Sequence, residues 1–134
     1  FMAWWKALLF VPLLRLLEGL YFGSVSATNH KGMKVVKKGE QLDFVEKQVL
    51  TARNLRSGAV VDFVYGGLNY QIEHHLFPTM PRNNFKKCKP VVMQFCRERG
   101  LLYVETGVFR SYRIILGELR RVAKSRPARA SLAA

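Results

Sequence analysis

The sequence predicts a mainly α-helical chain in which an apolar N-terminal helix leads into a basic, largely helical body. Three observations carry this. Residues 1–27 are crowded with large apolar side chains, among them Trp4, Trp5, Leu8, Leu9, Phe10, Leu13, Leu14, Leu16, Leu17, Leu20, Tyr21 and Phe22. Farther along, apolar residues recur every three or four positions in residues 42–54 and 109–122, the period of a one-sided helix. Charge is divided in the same way. Lys6 and Arg15 against Glu18 leave residues 1–29 at +1, whereas the other 20 basic and 8 acidic residues leave residues 30–134 at +12.

Composition narrows the class further. A chain of 134 residues suits one domain with a modest core. Hydrophobic content of 49% excludes a disordered tail. Two cysteines, Cys88 and Cys96, cannot form a disulfide-dense scaffold, and their spacing is not that of a zinc-binding pair. Both are expected as reduced thiols.

The head is long enough to cross a bilayer, which takes about 20 mostly apolar residues. Lys6 lies near its start, where its long stem can reach the interface. Arg15 and Glu18 fall three apart, on one helical face, and are expected to pair. Two readings stay open: a membrane-embedded helix packed against others, or an amphipathic core or interfacial helix. Pro12 would kink either one. The helix is expected to end at residues 29–32, with Gly32 supplying a left-handed residue.

Residues 34–40 read as a charged connector. Residues 42–54 read as a helix on the spacing of Leu42, Val45, Val49 and Ala52. Residues 56–58 break it, and an apolar run at 59–65 stops at Gly66 and Gly67. Residues 68–76 carry two overlapping patterns. Alternation of Leu68, Tyr70 and Ile72 with polar neighbours is a strand signal. As a helix, the same stretch gathers Gln71, His74 and His75 on one face. Pro78 and Pro81 end either element. Pro90 is expected to open a helix that buries Val92, Phe95 and Cys96 and closes at Gly100. Residues 101–104 read as extended. Phe109, Tyr112, Leu116, Leu119 and Val122 mark a last amphipathic helix, and residues 125–134 a flexible basic tail.

Chemistry concentrates at the histidines. The chain has three, and two are adjacent. Neutral imidazole binds iron, zinc, copper or nickel. A helical Gln71/His74/His75 face offers two ring nitrogens and an amide oxygen. His30 stands at the end of the apolar helix, where a metal site beside a bilayer can draw a ligand. Glu73 lies next to the pair, as an acid/base group, a supporting partner or a solvated carboxylate. Asn29 and Asn69 flank these residues as further supporting candidates. No phosphate-binding glycine loop and no serine-nucleophile motif is present.

The 17 residues from Gly66 to Arg82, GGLNYQIEHHLFPTMPR, closely resemble the third histidine box of front-end membrane fatty acid desaturases. In that family the first histidine of the box is replaced by glutamine, and QIEHH stands here at residues 71–75. Tyr21-Phe22-Gly23, and then residues 27–33 with their Asn29-His30 pair, resemble the end of the family's last membrane helix. Asp43-Phe44-Val45 and residues 48–54 resemble the segment between. The likeness continues through Pro90, Cys96, Gly100 and Tyr103, covering residues 20–105. Phe63 replaces a usual tryptophan, Asn83 replaces a frequent histidine, and Arg15 and Glu18 are unusual in that helix.

The resemblance implies a four-span helical membrane protein with a cytosolic histidine-box cap. Residues 1–29 would belong to the last membrane helix, residues 30–124 to the cap and residues 125–134 to the tail. It implies two iron ions held by histidine boxes, with dioxygen as co-substrate. Gln71, His74 and His75 carry over as box members and His30 as an extra ligand; Gln71 would bind iron or hold an iron-bound water. No catalytic residue beyond these ligands is implied. The reaction would place a cis double bond in a polyunsaturated acyl chain presented as acyl-CoA or acyl-lipid. Electrons would come from cytochrome b5, fused or separate, in the endoplasmic reticulum membrane. Such a centre needs about eight histidines, far more than are present. With Phe1 in place of an initiator methionine, this leads to the expectation of a C-terminal fragment, inactive alone. The alternatives are a sphingoid-base Δ8 desaturase and a basic module that binds membrane surfaces or nucleic acid without catalysis. Basic residues do not alternate with aromatic ones as a base-stacking surface requires, so no nucleic-acid partner is expected.

Overall fold

The computed structural model describes residues 3–130, with side chains described for residues 3–125. Six α-helices and one two-stranded ladder follow in the order α1 (Trp4–His30), α2 (Phe44–Leu50), β1 (Asn54–Leu55), α3 (Ala59–Tyr65), α4 (Gln71–Leu76), α5 (Phe85–Glu98), β2 (Glu105–Thr106) and α6 (Val108–Ala130). A 3-10 turn, Arg82–Asn84, leads into α5. The mainly helical expectation holds.

Helix α1 is long and apolar enough to cross a membrane. It runs without a break through Pro12, and only Val25, Thr28 and Asn29 on it are buried. Its large apolar residues are exposed from Trp4 to Phe22, and the Tyr21 hydroxyl donates to Val64 O. Arg15 and Glu18 do pair, at 2.6 Å. The helix ends at His30, and Gly32 takes the expected left-handed conformation (φ 77°) in the turn beyond. That glycine also lets α6 approach, since a Cβ there would sit 2.5 Å from Ile114 Cγ2.

Two small cores hold the body. Val49, Ala52, Ile72, Val92 and Cys96 form one, closed by Val45, Leu76, Leu101 and Tyr103. Val25, Leu55 and Tyr65 form the other, with Val61, Leu68 and Val108 against them. The second joins the membrane-length helix to the body. The parallel ladder, Asn54 opposite Glu105 and Leu55 opposite Thr106, ties the middle of the chain to the segment before α6.

Four expectations need correction. Helix α2 spans only Phe44–Leu50, not residues 42–54. Asp43 starts it with a reciprocal cap: its carboxylate accepts from Glu46 N, and Glu46 accepts from Asp43 N. It stops early because Arg53, Asn54 and Leu55 are buried and spend their polar groups on distant partners. Helix α5 begins at Phe85, with Pro90 inside it. Phe85, Cys88, Val92 and Cys96 make one continuous stripe, so burial extends the helix back past the proline. Phe95, expected in the core, is 37% exposed and carries the Arg99 guanidinium over its ring. Helix α6 continues to Ala130, so residues 125–130 of the expected flexible tail are helical; residues 131–134 lie outside the described part.

Candidate functional site

The strand-or-helix choice at residues 68–76 falls to helix from Gln71 onward. The left-handed glycines Gly66 and Gly67 turn the chain, and Tyr70 O and Glu73 O accept from His74 N and Phe77 N at 2.9 Å each. Residues four apart on this helix share a face, so Gln71 and His75 point the same way. Ile72 and Glu73 turn inward and are fully buried.

The last residue of α1 meets this face. Gln71 Nε2 lies 2.8 Å from His75 Nε2 and 3.3 Å from His30 Nε2. The two imidazole rings stack, with centroids 5.1 Å apart. His74 stands to one side, its ring 5.9 Å from that of His75 and edge-on to Phe85.

Hydrogen bonds fix the polarity of the cluster. Asn29 Nδ2 donates to Leu68 O at 2.8 Å and to Gln71 Oε1 at 2.9 Å. With its oxygen thus occupied, Gln71 presents its NH2 group to the histidines. A donor there requires a lone pair on each facing Nε2. On His30 the opposite nitrogen, Nδ1, faces Thr51 O at 3.3 Å, an acceptor for an Nδ1 proton. An imidazole nitrogen with a free lone pair is the atom that binds metals. Burial pushes the His75 pKa down, and the neighbouring His30 and His74 push it the same way. His75 Nδ1 is buried without a partner among the described residues.

Two buried polar devices hold the cluster in place. Arg53 is 1% exposed and clamps the end of α1. Its Nε donates to Thr28 O at 2.8 Å, its Nη2 to Lys31 O, and its backbone N to Asn29 O at 3.0 Å. The last carbonyls of a helix have no partner within it and carry partial negative charge, so a guanidinium suits them. Burial pulls the Arg53 pKa down.

Glu73 anchors the box helix from behind. Its oxygens accept from Asn54 Nδ2 at 2.6 Å and from the Tyr103 hydroxyl at 2.7 Å. Asn54 Oδ1 in turn accepts from Ile72 N at 2.9 Å. Burial, then the Glu73 charge, pushes the Tyr103 phenol far above its usual range.

Each candidate residue therefore has a place. Gln71, His30 and His75 converge, and Asn29 orients them. Glu73 supports the helix from the side away from the imidazoles. Asn69 does not join the cluster: its Nδ2 donates to Asp62 at 2.7 Å, bracing the turn before the box. Arg53, Asn54 and Tyr103 were not singled out as site residues. All three fall within the stretch of family likeness, and Arg53 and Asn54 also stand out as a polar pair at the edge of an apolar run. Among the described residues no group of three or more His, Cys, Asp or Glu could by itself hold a metal ion. The donors present, imidazole nitrogens with one ring nitrogen unpartnered, suit a metal such as iron.

The fatty acid desaturase family model matches residues 1–107, and the chain belongs to that family. Its relatives include the acyl-lipid (9-3)-desaturase of Physcomitrium patens, 37% identical over 121 residues, 90% of this chain and 23% of the relative. The Delta(6)-fatty-acid desaturase fat-3 of Caenorhabditis elegans is 37% identical over 115 residues, 84% of this chain and 26% of that protein. The Delta(5) fatty acid desaturase fat-4 of the same worm is 34% identical over 122 residues, 90% of this chain and 27% of that protein. The chain thus spans about a quarter of the length of these relatives. No solved structure matches it significantly.

Proposed function

We propose that this chain supplies the third histidine box and last membrane helix of a front-end membrane fatty acid desaturase. The reaction takes two hydrogens from adjacent methylene carbons of a polyunsaturated acyl chain. Dioxygen accepts these, together with two electrons and two protons, giving a cis double bond and two waters. Cytochrome b5 is the electron donor, and the membrane is that of the endoplasmic reticulum, with the box on the cytosolic side. The names of the moss and worm relatives support acyl chains as substrate.

A pair of iron ions, when bound, supplies the oxidising power that an unactivated C–H bond demands and that acid/base side chains lack. His30, His74 and His75 are the residues of this chain that would hold these ions. Gln71 acts through its amide N–H groups, because Asn29 holds its oxygen. With iron bound, it would donate hydrogen bonds at the site rather than ligate through its oxygen. Glu73, Asn54, Tyr103 and Arg53 keep α4 and the end of α1 in register, so the nitrogens meet without reorganisation.

One observation carries this reading: Gln71 Nε2 lies within 3.3 Å of the Nε2 atoms of both His30 and His75, at the end of a membrane-length helix. The test is a chimera in which this chain replaces its counterpart in worm fat-3, expressed in yeast fed that enzyme's substrate. Gas chromatography should detect the desaturated product, and the His30→Ala and His75→Ala chimeras, at equal abundance, should make none. Product from either variant at the parental level overturns the assignment.

A further inference from the structure

Helix α6 has an apolar stripe that the rest of the chain leaves open. Phe109 is 85% exposed, Leu116 52% and Leu119 57%. At about 100° per residue these three fall with Tyr112 and Ala123 on one arc of roughly 80°. Arg110, Arg113, Arg120, Arg121 and Lys124, all exposed, fill the adjoining arc of about 100°. The lone acid in the span, Glu118, is bonded to Arg121 at 2.6 Å. The body grips a different side of the helix, through buried Ser111 and Ile115.

The stripe has a definite direction. Tyr112 lies within it and bonds through its hydroxyl to Ser24 on α1. The 20 residues before Ser24, from Trp4 to Gly23, span about 30 Å of helix, the thickness of a bilayer core. With that stretch in the bilayer core, α1 leaves the lipid at Ser24, where α6 meets it. An open apolar stripe, bordered along its length by cations and placed at that level, has the anatomy of an interfacial helix. Long basic stems lie along such a stripe with their heads on lipid phosphates.

We propose that α6 lies in the membrane–water interface and binds anionic lipid. Phe109, Leu116 and Leu119 dip among the acyl chains, and Arg113, Arg120 and Lys124 sit on the phosphates. The helix thereby fixes the height of the histidine cluster above the bilayer, because its neighbour Gly32 packs on Ile114. This rests on α1 crossing the membrane, as the desaturase reading has it.

The test places single tryptophans in the chain with Trp4→Phe and Trp5→Phe, reconstituted in phosphatidylcholine vesicles with or without 30% phosphatidylglycerol. Brominated acyl chains quench tryptophan in lipid, and iodide quenches it in water. With the anionic lipid, Leu119→Trp should be quenched by bromine at least twofold more than Arg121→Trp, and iodide should show the reverse. Leaving out the anionic lipid, or adding Arg113→Gln, Arg120→Gln and Lys124→Gln, should lower the Leu119→Trp quenching at least twofold. Equal iodide quenching at the two positions overturns the proposal, as does a Leu119→Trp signal that neither quencher reaches, which would mean a protein cover. So does bromine quenching indifferent to anionic lipid. Leu14→Trp is the control on α1: if bromine fails to quench it, the membrane reading itself falls.

Discussion

Asn29 donates its side-chain amide to Gln71 Oε1 at 2.9 Å, and that bond decides which end of the Gln71 amide faces the histidines. Asn29 is fully buried and also donates to Leu68 O. A carboxylate there donates nothing and meets two oxygens. Asn29→Asp should therefore destabilise the chain by about 3 kcal/mol, the cost of unmade bonds to a buried charge. Thermal unfolding in detergent, followed by circular dichroism, reads this directly. Unchanged stability would mean that Gln71 is free to rotate.

Tyr103 and Glu73 make the second prediction. Tyr103→Phe keeps the ring in the core but leaves Glu73 Oε1 without its hydroxyl partner. The expected loss is about 1–3 kcal/mol. In Tyr103→Phe/Glu73→Gln the two changes should be strongly non-additive, as for any directly bonded pair. Strict additivity in denaturant titrations would show that the bond contributes nothing.

Gly32 joins backbone conformation to packing. Gly32→Ala places a methyl 2.5 Å from Ile114 Cγ2 on a backbone with φ of 77°. The left-handed conformation alone costs about 1–2 kcal/mol, and overpacking adds about 1–3 kcal/mol. Ile114→Ala should recover the packing part and not the backbone part. Full recovery in the double variant would assign the whole cost to the clash.

The pH dependence follows from His75. Burial, followed by its imidazole neighbours, lowers its pKa from the ordinary 6.5. The unfolded chain then binds more protons than the folded one, so stability rises with pH across this window. The contribution is complete above about pH 6.5 and is lost as the pH falls below it. Metal-free chain should lose more stability between pH 7.5 and 5.5 than its His75→Gln variant. Equal losses would show that His75 titrates normally.

Local patterns in the sequence reach a long way here. The span of α1, the Arg15–Glu18 pair, the left-handed Gly32 and the one-sidedness of α6 all depend on neighbours three or four residues away. Periodicity and composition report such neighbours. The box was legible only as a resemblance, carried by the contiguous stretch from Gly66 to Arg82, since spacing left strand and helix both open.

Tertiary structure decided what periodicity cannot encode. Residues 51–54 were expected in a helix, yet Arg53 and Asn54 lie outside it and reach Thr28 O and Glu73. Phe85 draws α5 back through Pro90 because its ring has a core to enter. The polarity of Gln71 depends on Asn29, 42 residues away. The sequence by itself determined the chemistry on offer: imidazoles, an amide, and a basic body behind an apolar helix. Only the fold decided which nitrogen faces which. A buried polar group must find its partner wherever the chain brings one, and that distance leaves no local trace.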